Sequence, residues 1–336
     1  MISKIDMAAN AFRWFGGDVI SRNAPFGDGI LVFNYHRIGT ASESEFDRDV
    51  FSTTADQFDE QMDFLKRNFD VISPHDLPAA RRQGKGRYVL ITFDDGYIDN
   101  YHTAFPILKR HGLPATFFIP TGFIDRRDLS WWDTIAWMIR HSDARQIPAS
   151  DWFEAPLPMT GDAREFAIRQ ALKTYKRLPG RDTDNYVSFL AEATGHATLP
   201  THLGDDLWMS WNNIRELRLA GMTIGGHTVN HPLLARLTST EQIAEIRGSR
   251  ERLQEMLGAA PKAFAYPVGK PDTFTTITRA ILLSTGFEYA FSFYGGYQNL
   301  IDIDLLDIRR VNVGRRTSQS LFEMLSSMPS VFARFA

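Results

Sequence analysis

Residues Arg87 to Gly96 read RYVLITFDDG. The first seven residues are rich in β-branched and aromatic side chains, the composition of a strand buried on both faces. Two adjacent carboxylates and a glycine then end the run. Downstream, Asp99 to His111 reads as a helix closed by Gly112 and Pro114, and ATFFIP (Ala115 to Pro120) as the next strand. Upstream, the turn Gly27-Asp28-Gly29 leads into ILVFNYH (Ile30 to His36), a second buried strand. Between the two strands, Phe58, Met62, Leu65 and Phe69 recur at helical spacing, and Thr54 with Gln57 has the spacing of a capping box.

The rhythm breaks from about 125 to 207. Structureless loops beyond about 12–15 residues are uncommon in compact domains. Leu129 to Arg140 and Arg164 to Leu178 are helical by pattern, so the stretch is expected to be a largely helical insertion. Alternation then resumes. Helices are expected at Trp211 to Ala220, at Thr238 to Leu257 with Thr238 and Glu241 as a capping box, and at Asp272 to Ser284. Strands are expected at Met222 to Gly225, Ala263 to Pro267, Glu288 to Tyr294 and Asp307 to Val313, with a terminal helix from about Ser318. Strands alternating with helices imply an α/β fold on a parallel sheet, open or closed into a barrel. In such folds reactive groups sit where strands end.

Composition limits the function. Lys and Arg total 37 against 40 Asp and Glu, a net charge of -3, which leaves no basic footprint for nucleic acid. There is no cysteine, so disulfides and thiolate metal sites are excluded and a metal must rest on His, Asp or Glu. Met1 to Arg22 lacks a continuous apolar core of a signal peptide, because Asp6, Arg13 and Asp18 interrupt it; residues 8–20 fit a short amphipathic helix. No run approaches a transmembrane segment. The expected location is cytoplasmic. The Phe-rich start and the tail Leu321 to Phe335 are candidates for a peripheral membrane contact, though packing on the barrel accounts for them better.

Three segments carry the chemistry, each after an expected strand. In Thr92-Phe93-Asp94-Asp95-Gly96, adjacent carboxylates repel unless a cation compensates them; one Asp can take a metal while the other faces substrate. Alone, the pair reads better as a solvated Asp-Asp-Gly turn. In Gly225-Gly226-His227-Thr228-Val229-Asn230-His231-Pro232, two His four positions apart can share one helical turn and chelate an ion. In Phe264-Ala265-Tyr266-Pro267-Val268-Gly269, the strand tip offers backbone N–H groups to an oxyanion. One Asp and two His make a facial set for Zn²⁺ or another divalent ion with open positions, and the second Asp is free as general base.

TFDDG, HTVNHP and FAYPVG, in this order, resemble the polysaccharide deacetylases of carbohydrate esterase family 4, the NodB-homology family. The resemblance covers roughly 30–120 and 208–315. It implies a distorted (β/α)7-type barrel over 30–316 carrying the insertion, flanked by an extension at 1–29 and a helix or tail at 317–336. It implies Asp94 as the general base, Asp95, His227 and His231 as metal ligands, and the Val268 N–H as an oxyanion donor. The metal would be Zn²⁺ first, with Co²⁺, Ni²⁺ or Mn²⁺ as other occupants. The substrate would be an N-acetylated oligo- or polysaccharide, such as a chitooligosaccharide, or a lipid-linked precursor.

Two departures stand out. Where the family often has an Arg that tethers the base, two positions before Pro267, this chain has Ala265, so Arg309 or Arg310 is the candidate replacement. No His follows His231 to act as general acid. Tyr35-His36 at the end of the first strand resembles the biofilm poly-N-acetylglucosamine deacetylases, which implies His36 as the acid. Trp131, Trp132 and Trp211 are candidates to line a sugar site; His75, His102, His111, His141, His196 and His202 have no partnered spacing. Competing expectations are a deformylase or deacetylase of a lipid-linked amino sugar, and a non-catalytic glycan-binding barrel.

Overall fold

A computed structural model describes Ala9 and residues 28–329 apart from 198 and 201. Most of the expected helix at 8–20 and the end of the tail lie outside these residues. The central sheet is carried by β1 (Gly29–Tyr35), β2 (Arg87–Phe93), β3 (Thr116–Ile119), β4 (Thr223–Gly226), β5 (Ala263–Ala265), β6 (Tyr289–Phe291) and β7 (Val311–Asn312). Its order is β6-β5-β4-β3-β2-β1 with β7 beside β1, every one of these pairs parallel. The sheet curls, and residues 308–312 bridge the remaining gap. Ile308 exchanges backbone bonds with Ala290 and Ser292 beside β6, and Val311 and Asn312 then pair with Phe33 and Asn34 of β1. The α/β barrel expected from the sequence is therefore present. The expected strand from Asp307 to Val313 shrinks to two residues because this segment crosses from one neighbour to the other.

The helices among the described residues include α1 (Ala55–Asn68), α2 (Phe105–His111), α3 (Thr121–Arg126), α4 (Trp131–His141), α5 (Ala163–Tyr175), α6 (Thr183–Thr194), α7 (Trp211–Leu219), α8 (Ser239–Leu257), α9 (Thr276–Thr285) and α10 (Gln319–Ser327). Thr54 and Gln57 cap α1, and Thr238 and Glu241 cap α8, both as full capping boxes. Helix α9 starts at Thr276 rather than Asp272, because Thr275 is its N-cap. The expected helix at 99–111 is not uniform: Asn100–Ala104 is a wide π turn that runs into α2. Helices α4 to α6 form the insertion, with one short antiparallel pair, Gln146–Ile147 against Leu157–Pro158. Phe322 of α10 packs on Phe33 at 4.6 Å, so the described part of the tail covers the barrel.

Period-two alternation sorts the two faces of the sheet. Leu31, Phe33, Tyr35, Val89, Ile91 and Phe93 belong to the large core shared with the helices. Ile30, Val32 and Leu90 pack with Phe118 and Phe291 in a second core within the curl. Continuing that inner set by two residues reaches Asn34 and Thr92, directly opposite each other in the β1–β2 register. The inner face thus turns polar at the carboxyl ends of the strands. At Gly225 of β4, an added Cβ would lie 2.5 Å from the Phe118 ring, so the inner core needs glycine there.

Candidate active site

Asp94 follows β2 and continues the inner face. Arg310 grips it through two parallel bonds, Nη1 to Oδ1 at 2.7 Å and Nη2 to Oδ2 at 2.8 Å. Asn34 Nδ2 adds a third at 3.0 Å. Arg310 is itself aimed by the Asn34 Oδ1 at 2.7 Å and the Ser292 carbonyl at 2.9 Å, and its side chain is fully buried. Burial would raise the Asp94 carboxyl, but the Arg310 charge, helped by His227 and His36, holds it well below the usual carboxylate range. A carboxylate has about four acceptor sites. Three are in use among the described residues, which leaves one on Oδ1 open to water. Of the two arginines singled out in the sequence, Arg310 meets Asp94; Arg309 instead lies over the Tyr294 ring. Asn34 and Thr92 were not singled out, although β alternation from Val32 and Leu90 places both beside Asp94.

Asp95, His227 and His231 converge next to it, with ligand atoms all within 4.8 Å of one another. Asp95 Oδ1 lies 3.4 Å from His227 Nε2 and 3.5 Å from His231 Nε2. These separations are long for hydrogen bonds, and Asp95 Oδ1, although buried, has no hydrogen-bond partner among the described residues. They suit an ion instead: two donors 3.4 Å apart, each about 2.0–2.1 Å from zinc, subtend roughly 110°, the tetrahedral angle. His227 Nδ1 faces the Ala265 carbonyl at 2.8 Å, which turns Nε2 toward Asp95. Burial, then His227, pulls His231 down to about 3, leaving the neutral imidazole that binds metals. For His227, burial lowers the pKa, but Asp94 and Asp95 outweigh it and hold it above the usual histidine range.

The two histidines do not share a helical turn. Thr228 and His231 are left-handed, with φ 64° and 56°. Thr228 Oγ1 accepts the His231 N–H at 2.9 Å, Gly122 N–H donates to Val229 O at 2.8 Å, and Glu245 accepts from the Val229 and Asn230 N–H groups at 2.8 Å each. A pinned loop, not helix periodicity, brings the imidazoles together. Asp95 and Val268 also have positive φ, 74° and 62°. Four of the six non-glycine residues with positive φ among those described thus sit at this site, each costing about 1–3 kcal/mol that the surroundings must offset.

The same pocket includes His36, Val268 and Phe293, walled by Trp131 and Trp132 and encompassing ≈ 620 Å³ of open space. The His36 backbone is fixed on both sides, its N–H donating to Ser52 Oγ at 2.9 Å and its carbonyl accepting from Asn100 Nδ2 at 2.6 Å. Asn100 belongs to the π turn, a feature that often marks functional positions. The Val268 N–H has no acceptor among the described residues, while the following Gly269 N–H donates to Pro267 O at 2.6 Å. Trp132 packs edge-on against His231 at 4.6 Å and donates to Tyr97 Oη at 2.7 Å. Trp211 is outside the pocket, bound to Asp125 at 2.8 Å. The six histidines without partnered spacing are also outside it. Asp47, Lys176 and Lys270 do line the pocket, and none carries a signal in the sequence.

A family model described as polysaccharide deacetylase matches residues 81–148 and 165–290, more than half of the chain. The chain belongs to the polysaccharide deacetylase family. Among curated relatives, a putative polysaccharide deacetylase, YxkH, of Bacillus subtilis is 40% identical over 67 residues, 19% of this chain and 24% of that protein. A poly-beta-1,6-N-acetyl-D-glucosamine N-deacetylase of Staphylococcus aureus is 30% identical over 118 residues, 32% of this chain and 41% of that one. The chain thus matches less than half the length of these relatives. Among solved structures, the Streptococcus pyogenes deacetylase PplD in complex with acetate superposes with TM-score 0.58 at 19% identity, covering 89% of this chain and 98% of that one. IcaB from Ammonifex degensii gives 0.57 at 22%, covering 90% and 98%. These two likenesses concern the fold. Their fold spans about nine-tenths of this chain. Among the described residues, no helix is long and apolar enough to cross a membrane.

Proposed function

We propose that this polysaccharide deacetylase hydrolyses the N-acetyl amide of an amino sugar within a glycan, with a divalent ion, Zn²⁺ first, held by Asp95, His227 and His231. The carrying observation is a buried, partnerless Asp95 oxygen facing two imidazoles, beside a carboxylate locked by a bidentate arginine. The Staphylococcus aureus relative points to N-acetylglucosamine polymers as the first substrates to try.

When bound, the ion supplies Lewis-acid polarisation and positive charge for the developing oxyanion. The remaining work falls to side chains and backbone. Asp94, ionised and oriented by Arg310 and Asn34, accepts a proton from the attacking water at the open position on Oδ1. Water oxygen bonds to the amide carbon, and the Val268 N–H faces the carbonyl oxygen as it takes up charge. His36 delivers a proton to the amide nitrogen as the C–N bond breaks, giving acetate and a free amine. Trp131 and Trp132 offer apolar surface for a pyranose ring.

The test is amine release from N-acetylglucosamine oligomers by protein stripped of metal and reloaded with Zn²⁺ or Co²⁺. Metal-dependent release supports the reading. Stoichiometric metal with no release from any N-acetylated sugar refutes it and favours the glycan-binding barrel.

A further inference from the structure

Arg310 neutralises Asp94, and Asp95 turns to the histidines, but two ammonium groups in the same pocket remain unanswered. Lys176 immediately follows α5, in the insertion. Its Nζ lies 5.7 Å from the Trp131 ring centroid. Trp131 stacks flat on Tyr175 at 4.1 Å, and its Nε1 donates to the His231 carbonyl at 3.3 Å. That chain of contacts ties the Lys176 charge to the backbone of a histidine of the Asp-His-His cluster. Lys270 arrives from a distant part of the sequence, on the loop that carries Val268. There Gly269 is left-handed at φ 64°, and the Lys270 carbonyl accepts from Thr273 N–H at 2.9 Å and Oγ1 at 2.8 Å. Both lysines stay accessible and line the pocket, and among the described residues neither ammonium group makes a hydrogen bond or ion pair.

Two like charges facing one concavity repel and are costly to hold without a counterion. Surrounding protein lowers the Lys176 pKa first of all; Asp47 opposes the shift, Lys270 lowers it further, and Asp49 and Asp95 oppose it more weakly. Asp47 does not cancel the pair. Burial pushes its carboxyl up to about 7, so near neutral pH it carries only part of a charge.

We propose that Lys176 and Lys270 form a subsite for an anionic oxygen group, a carboxylate or a phosphate ester, borne by the acetylated sugar or its neighbour. This rests on the deacetylase reading and narrows its substrate class to acidic N-acetylated glycans. An anion there gains charge-assisted hydrogen bonds in a partly desolvated site. A neutral sugar leaves both ammonium groups unmet, which is itself a source of discrimination.

The test uses the zinc-loaded protein and two readouts. Tryptophan fluorescence titrations compare N-acetylglucosamine with N-acetylmuramic acid, which adds a carboxylate, and N-acetylglucosamine 6-phosphate. Amine release then gives kcat/KM for matched acidic and neutral disaccharides. The acidic forms should be favoured by about tenfold or more per lysine, the scale of a hydrogen bond to a charged group. The preference should shrink with added salt. It should collapse toward unity in Lys176→Met, Lys270→Met and survive in Lys176→Arg, Lys270→Arg, with melting temperatures confirming that all variants fold. Whether carboxylate or phosphate binds more tightly identifies the group. Equal binding of acidic and neutral sugars overturns the proposal, as does a preference that persists in the Met variants, which would place the anion on the metal. Absence of turnover on every sugar would count against the deacetylase reading alone, because the titrations need no turnover.

Discussion

Asp94 and Lys176 bring opposite charges to one pocket, and the structure treats them differently. Asp94 grows from the end of β2, is buried, and takes three hydrogen bonds from Arg310 and Asn34. Lys176 follows an insertion helix, stays accessible, and its ammonium lies near the Trp131 ring with no hydrogen bond or ion pair among the described residues. The first is a charge whose position is fixed before any ligand arrives. The second is a charge waiting for one. The strand tips thus form a rigid floor suited to chemistry, and the insertion forms a wall suited to selection.

If that division holds, changes to the floor should lower turnover and changes to the wall should move binding. The largest effect is expected from metal removal: a chelator should abolish amine release, and Zn²⁺ or Co²⁺ should restore it. Retained activity after verified removal would break the account of the floor. His36→Ala should slow turnover by about 10²-fold or more, the usual range for a lost proton donor, with unchanged metal content by elemental analysis. Unchanged kinetics would take His36 out of that role. Arg310→Ala should lower stability by about 3–5 kcal/mol in denaturant titrations, because Asp94 would be left as a lone buried charge. A loss below about 1 kcal/mol, the worth of an exposed pair, would contradict the buried bidentate pairing.

Wall substitutions should be milder. Trp131→Ala is expected to raise KM about tenfold, within the range for an aromatic contact, and to leave kcat nearly as it was. A fall in kcat at constant KM would move Trp131 to the floor. The smallest effect concerns Asp47, whose carboxyl is pushed up to about 7 by burial, against 3.8 when unperturbed. Between those values the unfolded chain is ionised while the fold keeps the proton, so Asp47 costs progressively more stability as pH rises through that window. Asp47→Asn keeps an acceptor for the Asp49 N–H, a 3.0 Å bond in the parent. Its melting temperature relative to the parent should therefore rise by a few degrees between about pH 4 and pH 8. A pH-independent difference would mean that Asp47 is ionised within the fold.

The floor was largely legible in the sequence, and the wall was not. Continuous apolar runs marked β1 and β2 because both faces of those strands are buried, and the caps of α1 and α8 are local signals that tertiary packing left intact. The His227–His231 spacing singled out two residues that the structure groups with Asp95, but by another geometry: left-handed Thr228 and His231 replace the helical turn, a conformation that spacing does not encode. Strand β7 was overdrawn because Ile308 and Val311 serve different neighbours. Arg310 was one of two arginines singled out, and only long-range pairing across residues 34, 94 and 310 decides between them. Asp47, Lys176 and Lys270 lie far apart in the chain, and no local pattern joins them.

The most direct test of the central claim is Asp94→Asn, assayed together for bound metal and for amine release. With Asp95, His227 and His231 intact, the variant should bind zinc stoichiometrically yet release amine at least about 10²-fold more slowly than the parent. Turnover near the parental rate would contradict the claim that Asp94 takes the proton from the attacking water.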